Sequence, residues 1–487
     1  MATETTPLLQ NNQIRNGRLY LAAFSAVLGS FIFGYAMVFP SAAIPQLQID
    51  DDPNLHMNVG QISWFGSVFA IGAIAGGLSA MVLNDKIGRK HSIMISVIPS
   101  TAGFFVMALA KGWLWLLLGR LFTGIAAGIT ASSIPVYVSE ISHPGVRGFL
   151  GSSSQTMTVI GGLVLYALGL VLPWRWLAVA GEVPGLIMLF LLCFMPNSPR
   201  FLLTKDKDDE AKRALQWLRG PDTDYESEFQ RIKHSVISQQ GGMRCSDFTK
   251  SFYLKPILIS VFMRILQQMT GITPILIYME PIFEKTAVSL EPKVDAAIVG
   301  FVRLFPVLIA ACIMDKTGRK SLLHASAFIM YLSMMVLGVY THKTPCNRNV
   351  TGEALSAKEP FGAMSGFELS SGTLIPLMSI IFTVLGYAVG WGPITWLLMS
   401  EILPVKVRGI VSGVCVVASY VTAFLLTQFF MQAVEAFGLY VPFLFFSAIC
   451  VLNIIFTAKC VPETKGKTLE EIENYFRNGN TVTIAER

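Results

Sequence analysis

Amide and hydroxyl side chains stand where the surrounding sequence is apolar: Gln155, the adjacent pair Gln267 and Gln268 with Thr270 and Thr273 just beyond, and, further on, the indole of Trp396. None of these is a nucleophile or a base at neutral pH; an amide offers donors and an acceptor on one flat group. A polyhydroxylated solute such as a sugar needs such groups for its hydroxyls and an aromatic face for its C–H side, in an enclosed pocket. Polar groups left unpaired in hydrocarbon are costly, so each of these faces either a cavity or a neighbouring helix. The chemistry they suggest is recognition without bond-making.

Charged residues inside apolar stretches narrow the reading. Arg264 lies one turn before Gln267 and four residues from Gln268, which puts all three on one helical face. Arg303 has no local partner, and Arg120 and Glu182 are expected to pair across the first half of the chain. A second set lies at the ends of apolar blocks. Asp85, Arg89, Glu140 and Arg147 can form one inter-helix network, and Asp315, Arg319, Glu401 and Arg408 its counterpart. Formed, such networks would latch one side shut; broken, they would let two halves part. Basic residues there also anchor membrane topology, but topology alone does not account for the repeated acids.

These residues are carried by a membrane chain. Of its 487 residues 53% are hydrophobic and only 14% charged, where a soluble protein carries nearer a quarter. The apolar residues fall in blocks of about 20, the length of a helix crossing a hydrocarbon core of ~30 Å. They show no alternation of period two, which excludes a barrel. Twelve blocks are predicted, at roughly 19–44, 60–83, 92–110, 114–136, 149–172, 176–195, 255–279, 296–314, 321–341, 373–398, 409–432 and 440–459. The net charge of +6 sits in short loops beside these blocks rather than in a patch for nucleic acid. Seven cysteines show no metal-type spacing and read as packing residues. No nucleophile, phosphate-binding loop, metal or cofactor motif stands out, so an enzyme is not expected.

Lys and Arg set the expected orientation. They follow blocks 2, 4, 6, 8 and 10, whereas the loop after block 1 carries Asp50, Asp51 and Asp52. Both termini and the central loop are therefore predicted to be cytoplasmic. The chain divides into a tail at 1–18, six helices over 19–195, a loop with short amphipathic helices at 196–254, six helices over 255–460, and a tail at 461–487 whose Thr468-Leu469-Glu470-Glu471 reads as a capping box. An internal repeat unites the two sets of six. Asp85-Lys86-Ile87-Gly88-Arg89-Lys90 returns as Asp315-Lys316-Thr317-Gly318-Arg319-Lys320, and Ser139-Glu140-Ile141 with Pro144 and Arg147-Gly148 returns as Ser400-Glu401-Ile402 with Pro404 and Arg408-Gly409. Two pseudo-symmetric halves imply alternating access to a site at the midplane between them.

Gln155, Gln267-Gln268-Met269-Thr270-Gly271, Gly390-Trp391-Gly392-Pro393-Ile394-Thr395-Trp396 and Pro462-Glu463-Thr464-Lys465-Gly466, with the two Gly-Arg-Lys motifs, resemble the signatures of the sugar porters of the major facilitator superfamily. The chain is most similar to the class III facilitative glucose transporters. The resemblance implies an all-α major facilitator fold of twelve transmembrane helices and facilitative uniport of a hexose. It also implies sugar contacts from Gln155, Gln267, Gln268 and Trp396. Departures are visible: Thr273 and Arg303 stand where glucose carriers usually place Asn, and Ser419-Tyr420 replaces their Asn-Trp. These make Thr273, Arg303 and Tyr420 candidates to line a modified site. An alternative is therefore a carrier of an anionic or non-hexose solute. Proton-coupled sugar porters combine an Arg–Glu pair like Arg120 and Glu182 with an acid after Gly-Tyr in the first helix; here that place is Ala36, which favours uniport and leaves proton coupling through Glu182 as the other alternative.

Two short motifs concern location. Glu4, Leu8 and Leu9 look like an acidic dileucine signal read by clathrin adaptors, which points to lysosomal or late endosomal membranes, with the plasma membrane as the alternative. Asn349-Val350-Thr351 is a glycosylation acceptor in a loop predicted to lie on the non-cytoplasmic side. The expected partners are thus a hexose-like solute, the bilayer and adaptor proteins.

Overall fold

The computed structural model describes residues 16–143, 146–220, 225–238, 251–286, 291–343, 374–403, 408–465 and 475–476. The first half contains α1 (Gly17–Gln48), α2 (Val59–Lys86), α3 (Arg89–Ala108), α4 (Trp113–Ile141), α5 (Arg147–Gly169) and α6 (Trp174–Cys193). Three short helices follow, α7 (Pro199–Thr204), α8 (Asp208–Arg219) and α9 (Tyr225–Ser238). The second half contains α10 (Ser251–Met269), α11 (Ile272–Ile277), α12 (Met279–Thr286), α13 (Pro292–Thr317), α14 (Arg319–Lys343), α15 (Ile375–Val389), α16 (Pro393–Ile402), α17 (Arg408–Phe437) and α18 (Tyr440–Cys460). No strand occurs among the described residues. Glu4, Leu8, Leu9, Asn349 and the capping box at Thr468 lie outside the described residues.

Nine helices among the described residues are long and apolar enough to cross a membrane. The other three predicted crossings are α5, the segmented α10–α12 and α13. Polar residues interrupt two of these, Ser152 to Thr156 in α5 and Arg264, Gln267 and Gln268 in α10, while α13 is apolar around Arg303.

The predicted continuous blocks at 255–279 and 373–398 are each broken. In the first, Gly271 adopts a left-handed conformation (φ 80°) between α10 and α11. In the second, Gly390 to Gly392 separate α15 from α16 ahead of Pro393, whose ring cannot continue a helical hydrogen-bond ladder. Both breaks lie inside protein, where side chains re-satisfy the freed backbone groups.

Small residues set how closely the first-half helices approach. A side chain at Gly76 of α2 would run into the Ile125 carbonyl of α4, and one at Gly128 of α4 into the Ala73 carbonyl of α2. In lipid, helices gain little from apolar burial as such, so this backbone-to-backbone contact carries much of the packing. The halves meet where α2 packs on α17 and α5 on α13, and where α11 and α12 lie against α1. At the end away from the basic motifs the Tyr166 hydroxyl donates to the Leu276 carbonyl (3.0 Å) and Ser67 Oγ donates to Gln428 Oε1 (2.6 Å). The Glu280 amide donates to Ser41 Oγ (3.1 Å). Every residue from Gly271 to Phe283 is buried, so this end is closed.

At the basic end the repeat is legible in the backbone: Gly88 and Gly318 make the same left-handed turn (φ 91° and 88°) into α3 and α14. At the start of α14 the backbone N–H groups of Arg319 and Lys320, beyond reach of a preceding helical turn, donate to the Glu463 carboxylate (3.1 and 3.0 Å). Burial works against charge on Glu463, but backbone N–H groups of Lys465, Lys320 and Arg319 outweigh it and hold the carboxyl below its usual range. The central helices bury Ala211, Leu215 and Leu218. Arg219 joins them to the first half, donating to Glu228 (2.8 and 2.9 Å) and to the Ile141 carbonyl at the end of α4 (2.9 Å).

Candidate functional site

The break at Gly271 leaves Gln267 and Gln268 at the end of α10, facing different neighbours. Gln267 turns toward the α15–α16 break: its Nε2 donates to the Tyr387 hydroxyl (3.0 Å) and to the Trp391 carbonyl (2.8 Å), freed by the missing helical turn. Its Oε1 accepts from Arg264 Nη1. Gln268 turns toward α17 and α11, with Nε2 donating to Ser419 Oγ (2.9 Å) and Oε1 accepting from the Thr273 hydroxyl (2.7 Å). Ser419 also accepts from Arg264 Nη2 (3.2 Å), so the guanidinium links both glutamines. Its face lies 3.8 Å from the centre of the Trp396 ring, within cation–π range. Trp396 keeps 38% of its surface exposed.

The structure thus brings Gln267, Gln268, Thr273 and Trp396 into one connected group on the second half. Tyr420, next to Ser419, is half-buried and among the ionisable side chains around Arg264. Arg303 is half-buried on α13 near Tyr387 and Tyr166. Gln155 is half-buried on α5, in the opposite half, on the polar stretch where Ser154 bonds Ser30 of α1 (2.6 Å). Sequence reasoning missed Tyr387, Thr395 and the linking role of Ser419. Tyr387 lies in an apolar run with no motif, near the end of α15, and its hydroxyl reaches Gln267 of a distant helix, a pairing no local signal marks.

The expected pairing of Arg120 with Glu182 is not formed. The Glu182 carboxylate accepts from Ser100 (2.7 Å) and Thr101 (2.6 Å) of α3. Arg120 donates instead to the Ala36 and Phe65 carbonyls and lies over the Phe69 ring at 4.6 Å. Two hydroxyls take up the Glu182 carboxylate, and carbonyls take up Nε and Nη1 of Arg120, whose Nη2 is buried with no hydrogen-bond partner among the described residues.

At the basic end Arg89 pairs with Glu140 (3.1 Å) and Arg319 with Glu401 (3.4 Å), each within one half. Thr464 also donates to Glu401 (2.6 Å). Asp85 is exposed near the end of α2 and makes no ion pair among the described residues. The side chains of Arg147, Asp315 and Arg408 lie outside the described residues. No group of His, Cys, Asp and Glu among the described residues could hold a metal.

Residues 22–476 match the family model described as "Sugar (and other) transporter". The chain is 55% identical to human solute carrier family 2, facilitated glucose transporter member 6, over 96% of this chain and 92% of that one. It is 39% identical to mouse facilitated glucose transporter member 8, over 97% and 98% respectively. Among solved structures it is similar to the proton:xylose symporter XylE bound to 6-bromo-6-deoxy-D-glucose, with a TM-score of 0.75, 25% identity, and 94% of this chain and 99% of that one covered. The inward open conformation of the xylose transporter XylE from E. coli also matches at a TM-score of 0.75 and 24% identity, over 94% and 99%.

Proposed function

The chain belongs to the sugar transporter family, a multi-pass membrane carrier with the twelve-helix major facilitator fold and not an enzyme, and within that family we propose that it carries a hexose such as glucose by facilitative uniport. The observation that carries this reading is the connected group of Thr273, Gln268, Ser419, Arg264 and Gln267 around the two helix breaks, with the exposed face of Trp396 beside it. Gln155 on α5 supplies the amide of the facing half. The relatives named as facilitated glucose transporters lend the substrate class support. Uniport is favoured because α1 contains no acidic residue and Glu182 is engaged by two hydroxyls.

Transport on this reading follows from rocking of the two halves about the midplane. The closed end, where α11 and α12 meet α1, opens while the basic end closes, and Arg89, Glu140, Arg319 and Glu401, with Asp85, Arg147, Asp315 and Arg408, form the gate at the basic end. That end and both termini face the cytoplasm. Glu4, Leu8 and Leu9 direct the carrier through adaptors to late endosomal or lysosomal membranes, and Asn349 carries a glycan on the opposite side.

Uptake of labelled glucose into proteoliposomes, with and without an imposed pH gradient, tests the reading. Saturable uptake independent of the gradient is expected. Gln268→Leu should lower it by about tenfold or more, since it removes the amide that links Thr273 to Ser419 and leaves the Thr273 hydroxyl without its acceptor. Absence of glucose flux in a folded, inserted preparation would remove glucose as substrate.

A further inference from the structure

Two guanidinium groups stand at the candidate site without an acid to neutralise them. Arg264 is 3% exposed, yet its hydrogen-bond partners are the neutral Gln267, Ser419 and Thr395. Its Nε is buried with no hydrogen-bond partner among the described residues. The ionisable side chains around it are Tyr387, Tyr420 and Cys415, none of which is an acid at neutral pH. Arg303, from a different helix, has Tyr387 and Tyr166 as its ionisable neighbours. Neither arginine forms an ion pair among the described residues. The Tyr387 hydroxyl, bonded to Gln267, lies within the influence of both charges.

At the basic end and in the central helices the arginines are neutralised, Arg89, Arg219 and Arg319 each meeting a glutamate, whereas Arg120 in the first half is met by carbonyls and aromatic rings. Stacking on Trp396 and bonds to hydroxyls stabilise the Arg264 cation but leave its charge uncancelled. Two such charges near the midplane of a low-dielectric body raise the local potential and draw anions, because field lines are not screened there as in water. Ionisable groups within membrane helices are expensive to keep and mark the path of a solute or ion.

We propose that the solute carried at this site is a hexose bearing an anionic oxygen group, a carboxylate or a phosphate, with Arg264 and Arg303 as its counter-charges. The proposal rests on the transporter reading above and refines its substrate class. The sugar hydroxyls engage the amides, and the anion takes the donors that the protein leaves unused, Arg264 Nε and the Arg303 guanidinium. Movement of such a solute by uniport carries net charge, so its flux responds to membrane potential, whereas flux of glucose does not.

The experiment measures uptake of labelled glucose, glucuronate and glucose 6-phosphate in parallel into proteoliposomes holding the full chain, at zero potential and with the interior positive. At least one of the two anions should be taken up in preference to glucose and accelerated by the positive interior; which one responds separates carboxylate from phosphate. In Arg303→Gln the preference over glucose should fall about tenfold or more, the worth of roughly 1.4 kcal/mol, while Arg303→Lys, which keeps the charge, should retain most of it. Arg264→Gln, its folding checked by gel filtration, should behave as Arg303→Gln does. Glucose uptake with neither anion carried would overturn the proposal and leave hexose transport standing. Failure of all three solutes to move would overturn both. An anion preference that survives in both glutamine variants would also overturn it, since some other group would then hold the charge.

Discussion

Ser67→Ala tests what keeps one end of the molecule closed. Ser67 on α2 and Gln428 on α17 belong to opposite halves, both are buried, and their hydrogen bond is 2.6 Å long. Removing the hydroxyl strands Gln428 Oε1 in a dry interface, which costs about 1–3 kcal/mol. That cost falls on the closed arrangement alone, because parting of the halves lets water reach the amide. The closed-to-open equilibrium should therefore shift by roughly 5- to 150-fold. Amide hydrogen exchange across α11 and α12, whose residues from Ile272 to Phe283 are buried in the closed state, reports that opening directly. Exchange there should accelerate by this factor, with α3 and α4 unchanged as internal references. Gln428→Leu should act similarly, and the double variant should be less perturbed than the sum, since replacing both partners removes the stranded group. Unchanged exchange in α11 and α12, or strictly additive effects, would show that this bond does not hold the halves together.

Two further outcomes are expected at the basic end. Glu463→Gln should lower the melting temperature at neutral pH by weakening the cap on α14. Because the Glu463 carboxyl is held below its usual range, its stabilising effect is present above the ordinary carboxylate value of about 4.3 and is lost as pH falls through the lower folded value; the gap between wild type and variant should close on acidification, and a gap independent of pH would contradict it. Arg219→Ala removes a bidentate pair with Glu228 and the bond to the Ile141 carbonyl, worth about 1.5–3 kcal/mol for each bond to a charged partner. Tryptic cleavage within α8 and α9 should accelerate by about tenfold or more, with α1 to α6 protected.

The crossings were legible because apolar length is a one-dimensional signal: α1, α2, α4 and α14 lie where the blocks at 19–44, 60–83, 114–136 and 321–341 were predicted, with ends shifted by a few residues. The repeated Gly-Arg-Lys turns were legible too, because a left-handed glycine after an acidic helix end leaves its mark in residue type. The breaks at Gly271 and at Gly390 to Gly392 were not. Glycine and proline also occur in helices that merely bend, such as Pro99 in α3 and Pro135 in α4. Partner choice was the least legible. Gln267 and Gln268 were singled out as amides in an apolar block, but adjacency on the chain hides that one faces α15 and α16 while the other faces α17. Arg120 and Glu182 have opposite charges, yet carbonyls of α1 and α2 and hydroxyls of α3 reach them first.

The two ends of the molecule are held by different forces, and they answer to different variables. The closed end is tied by hydroxyls, an amide and apolar packing, as at Tyr166, Ser67 and Ser41. At the basic end Arg89 with Glu140 and Arg319 with Glu401 tie helices within each half, their side chains between 8% and 18% exposed. Dissolved salt screens exposed charge within a Debye length of about 8 Å at physiological ionic strength and leaves dry hydrogen bonds untouched. Ionic strength therefore reaches the packing of helices within each half at the basic end, and weakly, because those pairs are mostly buried. The bonds described between the halves are uncharged, so the balance between the two faces of this carrier should change little with the electrolyte.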